Sequence, residues 1–579
     1  MKLPGTDFAF SPLLAVLLGL AFTCIIIYSL YLAALPKPIP GIPYNQESAK
    51  RLFGDIPLLA EVRYRRQWAW AQPREHGAPV SQIFLFPFRT PTVVVSDYRE
   101  VVDIISRRSK EFDRGTRTKE CIGFVAPTFH FTMETSDPRF KFHKKLIRDL
   151  MTPKFLNNVS APRIYDKALA LVALWNLKAS KACGRPFSAT EDLFAATLDM
   201  ICVAAFGMEN AKSALRQETA HVQSTEPIFP TTEDGPVEFP RAPTIPELDA
   251  LFDGPKMVSI AQGSPFPYFS QFLALMTPSH ARAHWNRKTL IMGQIDKSLQ
   301  RLIQSGADGC ESALDQLLWR EMNAAKEADR LPDYYSPAIR DEILGYLVAG
   351  HDTSAATLAW WAKYMTAHQS IQARLRDALR QAHFEAYRDS RLPTMKEICD
   401  TPVPYLDAVI EETLRHAAVA SLIVRTSTCD TQILGYRIPK GTDILLPLVG
   451  PSITEPAVPV RESARSPESQ EARDQIPYWG EDVSEFKPER WLKRAAKNAA
   501  GGDEGDEVFD QYAGPTLAFS AGPRQCFGRR LAYMKLRTVM TLLMWNFELQ
   551  PLDEALNTPD IIEILVNLPE DCYVKLAKA

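Results

Sequence analysis

The chain has 579 residues, long enough for one large or two ordinary domains, and 46% of them are hydrophobic, as in an ordinary globular protein. The net charge of −3 provides no basic excess of the kind that a nucleic-acid surface needs. Nine cysteines are scattered without any C-x-x-C pair, which argues against a disulfide scaffold or a zinc knuckle and indicates a reducing compartment.

The amino-terminal segment has the features of a membrane anchor. No charged residue lies within residues 8–35, and a helix over 13–35 would span about 35 Å, enough to cross a bilayer with some tilt. This stretch is longer than the apolar core of a cleaved signal peptide, so we expect residues 1–35 to remain as a single-pass anchor. Basic residues cluster after the span, which places the rest of the chain in the cytosol, with the endoplasmic reticulum as the expected membrane. The Pro-rich residues 36–43 are expected to form a stiff spacer before one domain over 44–579.

The first half of that domain is predicted to mix short β segments, helices and loops. The hydrophobic pattern and the turn residues predict, in order, two β segments in 80–95, a helix over 98–106 capped by Ser96-Asp97, a loop over 111–138, helices over 140–150 and 189–206, and a Pro-rich loop over 228–257.

A long helix is predicted from Ser336, as cap, and Pro337 to about residue 367. It contains the segment Ala349-Gly350-His351-Asp352-Thr353-Ser354. A glycine costs such a helix about 1 kcal/mol relative to alanine, and an acid–alcohol pair in an apolar stretch breaks the packing pattern. Such a departure is expected where a ligand approaches the backbone, although a solvated or back-bonded helix pair is the alternative for Asp352 and Thr353 alone.

A second helix, predicted over 404–417, carries Glu412 and Arg415 three residues apart on one face. An exposed pair of this kind contributes only a few tenths of a kcal/mol, whereas the apolar surroundings indicate burial. Arg425 follows a short extended run. A hairpin is predicted over 435–442, and two charged insertions are predicted over 455–475 and 495–507.

Near the carboxyl end, a loop presents one sulfur, that of Cys526. Gly522 and Pro523 predict a tight turn, Arg524 places a cation two residues before the cysteine, and a helix is predicted from Arg529 towards residue 543. The cation and the helix amino terminus would both favour the thiolate. One thiolate without a second ligand is a poor zinc site and a good axial ligand for haem iron, while a buried structural cysteine is the plainer alternative.

This loop resembles the haem-ligating signature F-x-x-G-x-R-x-C-x-G of the cytochrome P450 family, with Phe519, Gly522, Arg524, Cys526 and Gly528 at its fixed positions. The resemblance implies a mainly α fold with a small β-rich subregion, preceded here by the transmembrane helix. It also implies haem b as cofactor, with Cys526 as the axial ligand of its iron.

The resemblance extends to three further motifs. The segment with Gly350, Asp352 and Thr353 is similar to the family's oxygen-binding motif, which implies that the last two residues hold dioxygen and relay protons. Glu412 and Arg415 are similar to the family's E-x-x-R pair, and Arg490 would complete that network from a P-E-R-W sequence.

The residues expected to contact the haem propionates match the family's pattern less closely than the other motifs. Arg425 resembles a propionate-binding arginine. The helix over 140–150 carries Phe140 and Lys144 where the family usually has tryptophan and arginine, which leaves Lys144 and His143 as candidate contacts and a solvated basic face as the alternative. The resemblance also assigns the substrate pocket to residues 417–424 and to the loop with Phe124, Phe129 and Phe131.

The implied activity is a monooxygenase that oxidises a lipophilic small molecule with dioxygen, similar to fungal members that serve secondary metabolism. The sequence has no nucleotide-binding motif or second redox domain, so electrons would come from NADPH through a separate membrane-bound cytochrome reductase, or from a cytochrome b-type donor. The expected basic docking face consists of Lys141, Lys144, Lys145, Arg148, Arg529, Arg530, Lys535 and Arg537. A haem-thiolate isomerase or dehydratase that needs no external electrons, and a non-catalytic haem sensor, are the alternatives.

Overall fold

Helices form most of the fold in the computed structural model, which describes residues 12–208, 212–232, 234–473, 479–494 and 507–579. In chain order they are α1 (Pro12–Ala34), α2 (Gln46–Ala49), α3 (Ile56–Glu61), α4 (Arg65–Glu75), α5 (Tyr98–Val102), α6 (Thr116–Ile122), α7 (Pro138–Ile147), α8 (Pro153–Phe155), α9 (Ala161–Ala182), α10 (Thr190–Phe206), α11 (Ala214–Ser224), α12 (Pro246–Gln262), α13 (Pro267–Leu275), α14 (Pro278–Ser305), α15 (Ala313–Glu327), α16 (Pro337–Ala367), α17 (Gln369–Ala382), α18 (Phe384–Arg388), α19 (Met395–Asp400), α20 (Pro404–Ala417), α21 (Pro467–Glu471) and α22 (Arg529–Asn546).

The strands are short and lie in small sheets. They are β1 (Val80–Ile83), β2 (Thr92–Val95), β3 (Phe112–Asp113), β4 (Phe187–Ser188), β5 (Leu422–Ser427), β6 (Thr431–Ile433), β7 (Tyr436–Ile438), β8 (Asp443–Pro447), β9 (Leu492–Arg494), β10 (Glu507–Phe509), β11 (Phe547–Leu549), β12 (Ile561–Glu563), β13 (Asn567–Pro569), β14 (Tyr573–Val574) and β15 (Leu576–Lys578). The largest sheet has the order β1-β2-β8-β5-β3, in which only β2 and β8 run parallel. The expected mainly α fold with a small β-rich subregion is therefore confirmed.

The main core forms around α16, which packs against α10 on one side and α20 and α22 on others. Ser336 caps α16 by accepting a hydrogen bond from the Ile339 backbone N–H, as expected from the sequence. The indole of Trp361 in α16 and that of Trp175 in α9 are fully buried in the same cluster. A helix buried on nearly all faces can carry polar groups only where they have hydrogen-bond or ionic partners. The partners of the acid–alcohol segment of α16 therefore indicate what this part of the helix does.

The amino-terminal helix α1 is confirmed as a segment long and apolar enough to cross a membrane, with a mean hydropathy of 2.6 over its best window. The Pro-rich segment 36–43, which follows α1, is not a free spacer, because it packs on the domain. Ile39 and Ile42 are buried against the large sheet, and the side-chain amide of Gln82 exchanges hydrogen bonds of 2.8–2.9 Å with their backbones. This segment therefore packs against the domain directly after α1.

Most predicted elements are present, and three predictions are wrong in part. The Pro-rich loop expected over 228–257 ends earlier, because α12 begins at Pro246, whose fixed backbone angle suits the first turn of a helix. The hairpin is formed by β6 and β7, with its turn at Leu434 and Gly435, so it lies a few residues before the predicted span. Within the predicted loop over 111–138, the structure forms the short β3 and α6.

The predicted insertion over 455–475 packs on the region around α5, as far as the structure describes it. Arg465 forms a bidentate ion pair with Asp97, at 2.6 and 2.9 Å, and Ser466 donates to Asp103. The second insertion, 495–507, lies outside the described residues except for Glu507, which begins β10.

Candidate active site

The cysteine loop is built on a backbone contact that only glycine permits. Gly522 has φ +69°, and a Cβ at this position would lie 2.3 Å from the backbone oxygen of Ile105. The Cys526 backbone N–H donates to the Phe519 carbonyl at 2.8 Å and closes the loop. Gly528 leads into α22, and a Cβ there would approach only the Cys526 Sγ, at 4.0 Å. The loop is thus held from one side and presents its sulfur on the other.

The electrostatics of Cys526 differ from the sequence-based expectation. Its side chain is exposed in the structure, yet the surrounding protein desolvates it and raises the pKa of the thiol. The backbone N–H groups of Gly528 and Arg529 and the charges of Lys144 and Arg529 act in the opposite direction. Arg524 does not perform this role: its guanidinium donates to Thr135 Oγ1 at 2.7 Å and to the backbone carbonyls of residues 130 and 133.

Three arginines instead form a buried cationic cluster beside the loop: Arg114, Arg425 and Arg524. Burial, with the charges of the other two as the next causes, lowers the pKa of Arg114 well below its usual range. Burial and the charge of Arg524 lower the pKa of Arg425 to about 10. Asp113 is the buried carboxylate that faces all three, and it already accepts hydrogen bonds from Thr135.

This cluster fits the carboxylates of a haem. The Nε of Arg114 is buried with no hydrogen-bond partner, and Arg425 donates only to the backbone carbonyl of Val424 among the described contacts. Buried cations are ordinarily paired with anions, so the surplus of positive charge calls for acidic groups of a ligand. Two propionates beside a single thiolate ligand meet that requirement, and the residues present therefore fit haem b.

The two candidate contacts on α7 have different surroundings. Lys144 lies with its Nζ 5.1 Å from the centre of the Phe527 ring, and burial followed by the charge of Arg524 lowers its pKa. His143 is turned towards α16, where its Nδ1 lies 2.7 Å from a carboxylate oxygen of Glu342. The other oxygen of Glu342 lies 2.7 Å from His130 Nδ1, so this carboxylate joins the loop, α7 and α16. The structure thus brings Lys144 to the cysteine loop and places His143 with Glu342.

The acid–alcohol segment lies in the middle of α16. Thr353 Oγ1 donates to the Ala349 carbonyl at 2.9 Å, and Asp352 is buried with one carboxylate oxygen 2.6 Å from His351 Nδ1. Gly350 is required by the packing, because a Cβ at this position would lie 2.5 Å from the Ile201 side chain of α10.

Lys535 was expected on an exposed docking face, and this prediction is wrong. The side chain is fully buried and donates from Nζ to the Gly350 carbonyl at 2.5 Å, so α22 is tied to the segment that precedes Asp352. Burial lowers the pKa of this lysine to about 7, with the Cys202 thiol as an opposing cause. Arg537 is also engaged, in an ion pair with Asp407.

Glu412 and Arg415 form a fully buried bidentate ion pair at 2.7 and 2.9 Å. Arg415 also donates to the backbone carbonyls of residues 453, 483 and 485, so it links α20 to two distant loops. The Nε of Arg490 lies 3.9 Å from Glu412, while its guanidinium donates to Asp482 at 2.8 Å. Trp491, which the sequence did not single out, donates from its indole nitrogen to Glu412 at 2.9 Å.

The three candidate pocket phenylalanines, Phe124, Phe129 and Phe131, are partly buried. Phe129 packs on α16, where a Cβ on Gly345 would lie 2.3 Å from its ring, and Phe131 stacks on Phe129 with ring centres 6.1 Å apart. Arg114 lies over the Phe131 ring at 3.5 Å, so these two rings connect the arginine cluster with α16. Phe124 lies two residues after α6.

Sequence reasoning missed three residues at this site: Arg114, His351 and Lys535. Arg114 precedes Gly115, and a Cβ there would meet Thr426 of β5, which shows how closely the loop approaches the strand that carries Arg425. His351 lies within the motif that resembles the family's oxygen-binding motif, but at a position where the motif specifies no residue type. Lys535 follows the helical repeat of α22 and could have been identified as buried from its neighbours Leu531 and Leu536.

A helical fold with a single cysteine in a closed loop, a buried cluster of arginines beside it and an acid–alcohol helix defines the class of haem-thiolate proteins. Comparison with known proteins agrees: the family model of cytochrome P450 matches residues 74–452 and 475–576, and the gap between these ranges coincides with the first predicted insertion. The chain belongs to the cytochrome P450 family and is a cytochrome P450 monooxygenase.

Several similar proteins are fungal. Cytochrome P450 monooxygenase TRI13 of Fusarium sporotrichioides is 37% identical over 97% of this chain and 99% of its own length. Cytochrome P450 monooxygenase GME11363 of Pestalotiopsis microspora is 37% identical over 94% of this chain and 95% of its own. Cytochrome P450 monooxygenase xilC of Penicillium crustosum is 35% identical over 92% and 90%.

Proposed function

We propose that this monooxygenase hydroxylates or otherwise oxidises a lipophilic small molecule of fungal secondary metabolism, with electrons from NADPH through a separate cytochrome reductase. The observation that carries the proposal is the cluster of Arg114, Arg425 and Arg524 beside Cys526, which fits a haem with its thiolate ligand. The similarity to fungal monooxygenases along nearly the whole chain supports the setting.

The residues of the site take the following roles in this proposal. Cys526 ligates the haem iron, the three arginines and Lys144 hold the propionates, and the bound haem supplies the activation of dioxygen. The Thr353 hydroxyl would position the dioxygen co-substrate, and the Asp352 carboxyl would relay protons. Phe129 and Phe131, with the residues over 417–424, form the apolar wall against which a lipophilic substrate packs.

The reductase docks on a smaller basic face than the sequence indicated. Lys141, Lys145 and Arg148 are exposed on and after α7, and Arg530 is exposed on α22. Arg530 donates to the Met151 carbonyl at 3.1 Å, which brings the two groups onto one surface near the cysteine loop. An acidic partner surface is the complement of this face. In the cell, α1 would hold the enzyme in the endoplasmic reticulum membrane with this face in the cytosol.

Two measurements test the proposal. The purified full-length protein, reduced under carbon monoxide, is expected to show the strongly red-shifted Soret band of a thiolate-ligated haem, and Cys526→Ala is expected to lose it. NADPH consumption that requires both an added fungal reductase and the protein would support the monooxygenase cycle. A thiolate-type band with no reductase-dependent consumption, in the presence of a range of lipophilic compounds, would instead support an isomerase, a dehydratase or a sensor.

A further inference from the structure

The segment 453–474 lies outside both ranges that the family model matches, yet buried ionic contacts join it to the domain. Arg465 of this segment forms the bidentate ion pair with Asp97, and only 9% of this arginine is exposed to solvent. Ser466 donates to the buried Asp103 at 2.9 Å. Surface ion pairs contribute little, whereas a pair as buried as this one is costly to break. The segment is therefore fixed to both ends of α5.

The helix α5 makes contacts in the opposite direction through Arg99. Its Nη1 lies 3.0 Å from each carboxylate oxygen of Glu462, and its Nε donates to the Ser469 carbonyl at 2.9 Å. Ser466 also caps the short helix α21 by accepting a hydrogen bond from the Ser469 backbone N–H. The segment thus has an ordered structure of its own where it meets α5.

The charges around α5 show why this helix needs the segment. Three buried carboxylates surround it: Asp97, Glu100 and Asp103. Arg107 lies 2.6 Å from Asp103 and Arg108 lies 3.3 Å from Glu100, while Arg465 is the ionic partner of Asp97. Burial raises the pKa of Glu100 to about 7, and its carboxylate neighbours act in the same direction, against Arg108 and Arg465. Loss of Arg465 would leave Asp97 without this counter-charge in a region already rich in buried carboxylates.

The chain that follows α5 forms the rear wall of the cysteine loop. The π-helical turn Asp103–Arg107 continues α5 directly. A Cβ on Gly522 would lie 2.3 Å from the Ile105 carbonyl oxygen and 2.8 Å from the Ser106 Cα. Ala521 packs on the apolar cluster that contains Ile104 and Ile105. The position of this turn therefore determines how far the cysteine loop can move.

We propose that Arg465, assisted by Ser466, is a positioning residue for the cysteine loop: it fixes α5 and the turn Asp103–Arg107, and this turn fixes Gly522 and with it the sulfur of Cys526. The inference rests on the proposed role of Cys526 as the haem ligand. Arg465 and Ser466 act through α5, from outside the haem site. The insertion thus influences the geometry of the thiolate by holding the backbone on which the loop rests.

The first test measures hydrogen–deuterium exchange of the backbone amides in the purified full-length protein. In Arg465→Met, the amides over 519–526, among them the Cys526 N–H that closes the loop, are expected to exchange about 10-fold faster or more, because the wall behind the loop is loosened. The amides of α16 are expected to keep their rates. Equal acceleration in α16 and in the loop would show a general loss of stability and would overturn the proposal.

The matched control for the exchange measurement is Glu455→Gln. Glu455 also belongs to the segment and forms an ion pair, with Arg74 of α4 at 2.5 Å, but it lies on the side of α4 and not of α5. This variant is expected to leave the exchange of the cysteine loop unchanged. Loop exchange rates of Arg465→Met that match those of this control would refute a positioning role of Arg465.

The second test uses the ferrous carbon monoxide spectrum and the reduction potential of the haem. Arg465→Met is expected to lower the fraction of thiolate-type band and to shift the potential. Arg465→Lys keeps the charge but not the forked donor, so it should fall between this variant and the unsubstituted protein. A double variant with Gly522→Ala should be no worse than Gly522→Ala alone, because both act on the same contact. Additive effects would contradict the proposed route through this contact.

The two experiments separate failure of this inference from failure of the proposed function. If the unsubstituted protein lacks the thiolate-type band, the proposed role of Cys526 fails, whereas the exchange of the loop still tests the contact with α5 because it needs no haem. If Arg465→Met does not fold, Arg465→Lys and Ser466→Ala are measured in its place. Both should accelerate exchange of the loop more than that of α16, and unchanged loop exchange in both would overturn the proposal.

Discussion

Replacing Glu412 by glutamine removes one charge from the buried pair while keeping its size. Glu412 and Arg415 are both fully inaccessible to solvent, and the carboxylate also accepts hydrogen bonds from the Lys487 backbone and the Trp491 indole. Glutamine can keep some of these bonds, but it leaves the guanidinium of Arg415 buried without a counter-charge. Loss of one partner of such a pair typically costs about 3–5 kcal/mol.

The acidity of Glu412 reflects the same contacts. Burial alone would raise the pKa of Glu412, but hydrogen bonds from His416 and Arg415 outweigh it and lower the pKa from 4.5 to about 2. This difference corresponds to roughly 3 kcal/mol of folding free energy. Because the folded pKa is the lower one, the contribution is present above about pH 4.5 and is lost as the pH falls towards 2.

The assay is thermal unfolding at pH 7, followed by circular dichroism and by the haem absorbance. For a chain of this length the unfolding entropy is on the order of 1.2 kcal/mol per kelvin, so about 3 kcal/mol lowers Tm by about 3 °C. The matched control is Glu411→Gln, because burial raises the pKa of the adjacent Glu411 to about 7, so that about half of its carboxyl groups are already neutral at that pH. Equal Tm shifts for the two variants would show that the charge of Glu412 does not carry the stability.

Three further outcomes are expected. Lys535→Met should raise Tm at pH 7, because burial lowers the pKa of the lysine to about 7 and the charged form therefore destabilises the folded state at every pH below the ordinary lysine pKa. The gain in Tm should shrink as the pH rises towards 10, where the lysine is increasingly neutral in the unfolded chain too. A gain that does not depend on pH would contradict this cause. Arg114→Met should lower the haem-to-protein absorbance ratio at least severalfold, because it removes one buried cation beside the cysteine loop. The control Arg89→Met, which breaks an exposed ion pair, should leave this ratio unchanged. Equal ratios for the two variants would show that Arg114 does not contribute to haem binding. Gly522→Ala should shift the carbon monoxide band away from the thiolate type, since its Cβ would lie 2.3 Å from the Ile105 oxygen, and an unchanged spectrum would show that the loop relaxes freely.

The sequence sufficed for features whose cause is local. Ser336 and Pro337 determine the start of α16, and the apolar run of α1 determines the candidate anchor, because capping and hydropathy act over a few neighbouring residues. Pro246 shows the limit of this reasoning. The prolines within 228–257 predicted a loop, although proline is also common at the first position of a helix. The packing of α12 against α14 decides between a loop and a helix here.

Features that depend on distant partners could not be predicted in this way. Arg524 lies two residues from Cys526 in the chain, so a local argument assigns its charge to the sulfur. In the folded protein its guanidinium is drawn instead to acceptors in the segment 130–135, almost four hundred residues earlier in the sequence. The grouping of Arg114 with Arg425 and Arg524 has the same origin, since the pairing of β3 with β5 brings Arg114, directly after β3, close to Arg425 of β5.

The acid–alcohol segment of α16 illustrates why polar groups in a buried helix must be interpreted through their partners. A basic group approaches it from α22, where Lys535 donates to the Gly350 carbonyl, and a second one, His351, lies within the segment itself. Hydropathy does not distinguish Lys535 or His351 from surface residues, because a lysine or histidine at helical spacing ordinarily indicates the solvent-exposed face of a helix. Burial reverses that interpretation: a polar group removed from water needs a partner, and here Lys535 has the Gly350 carbonyl while His351 has the Asp352 carboxyl group and the Phe194 carbonyl. The two side chains therefore hold the segment against α22 and α10.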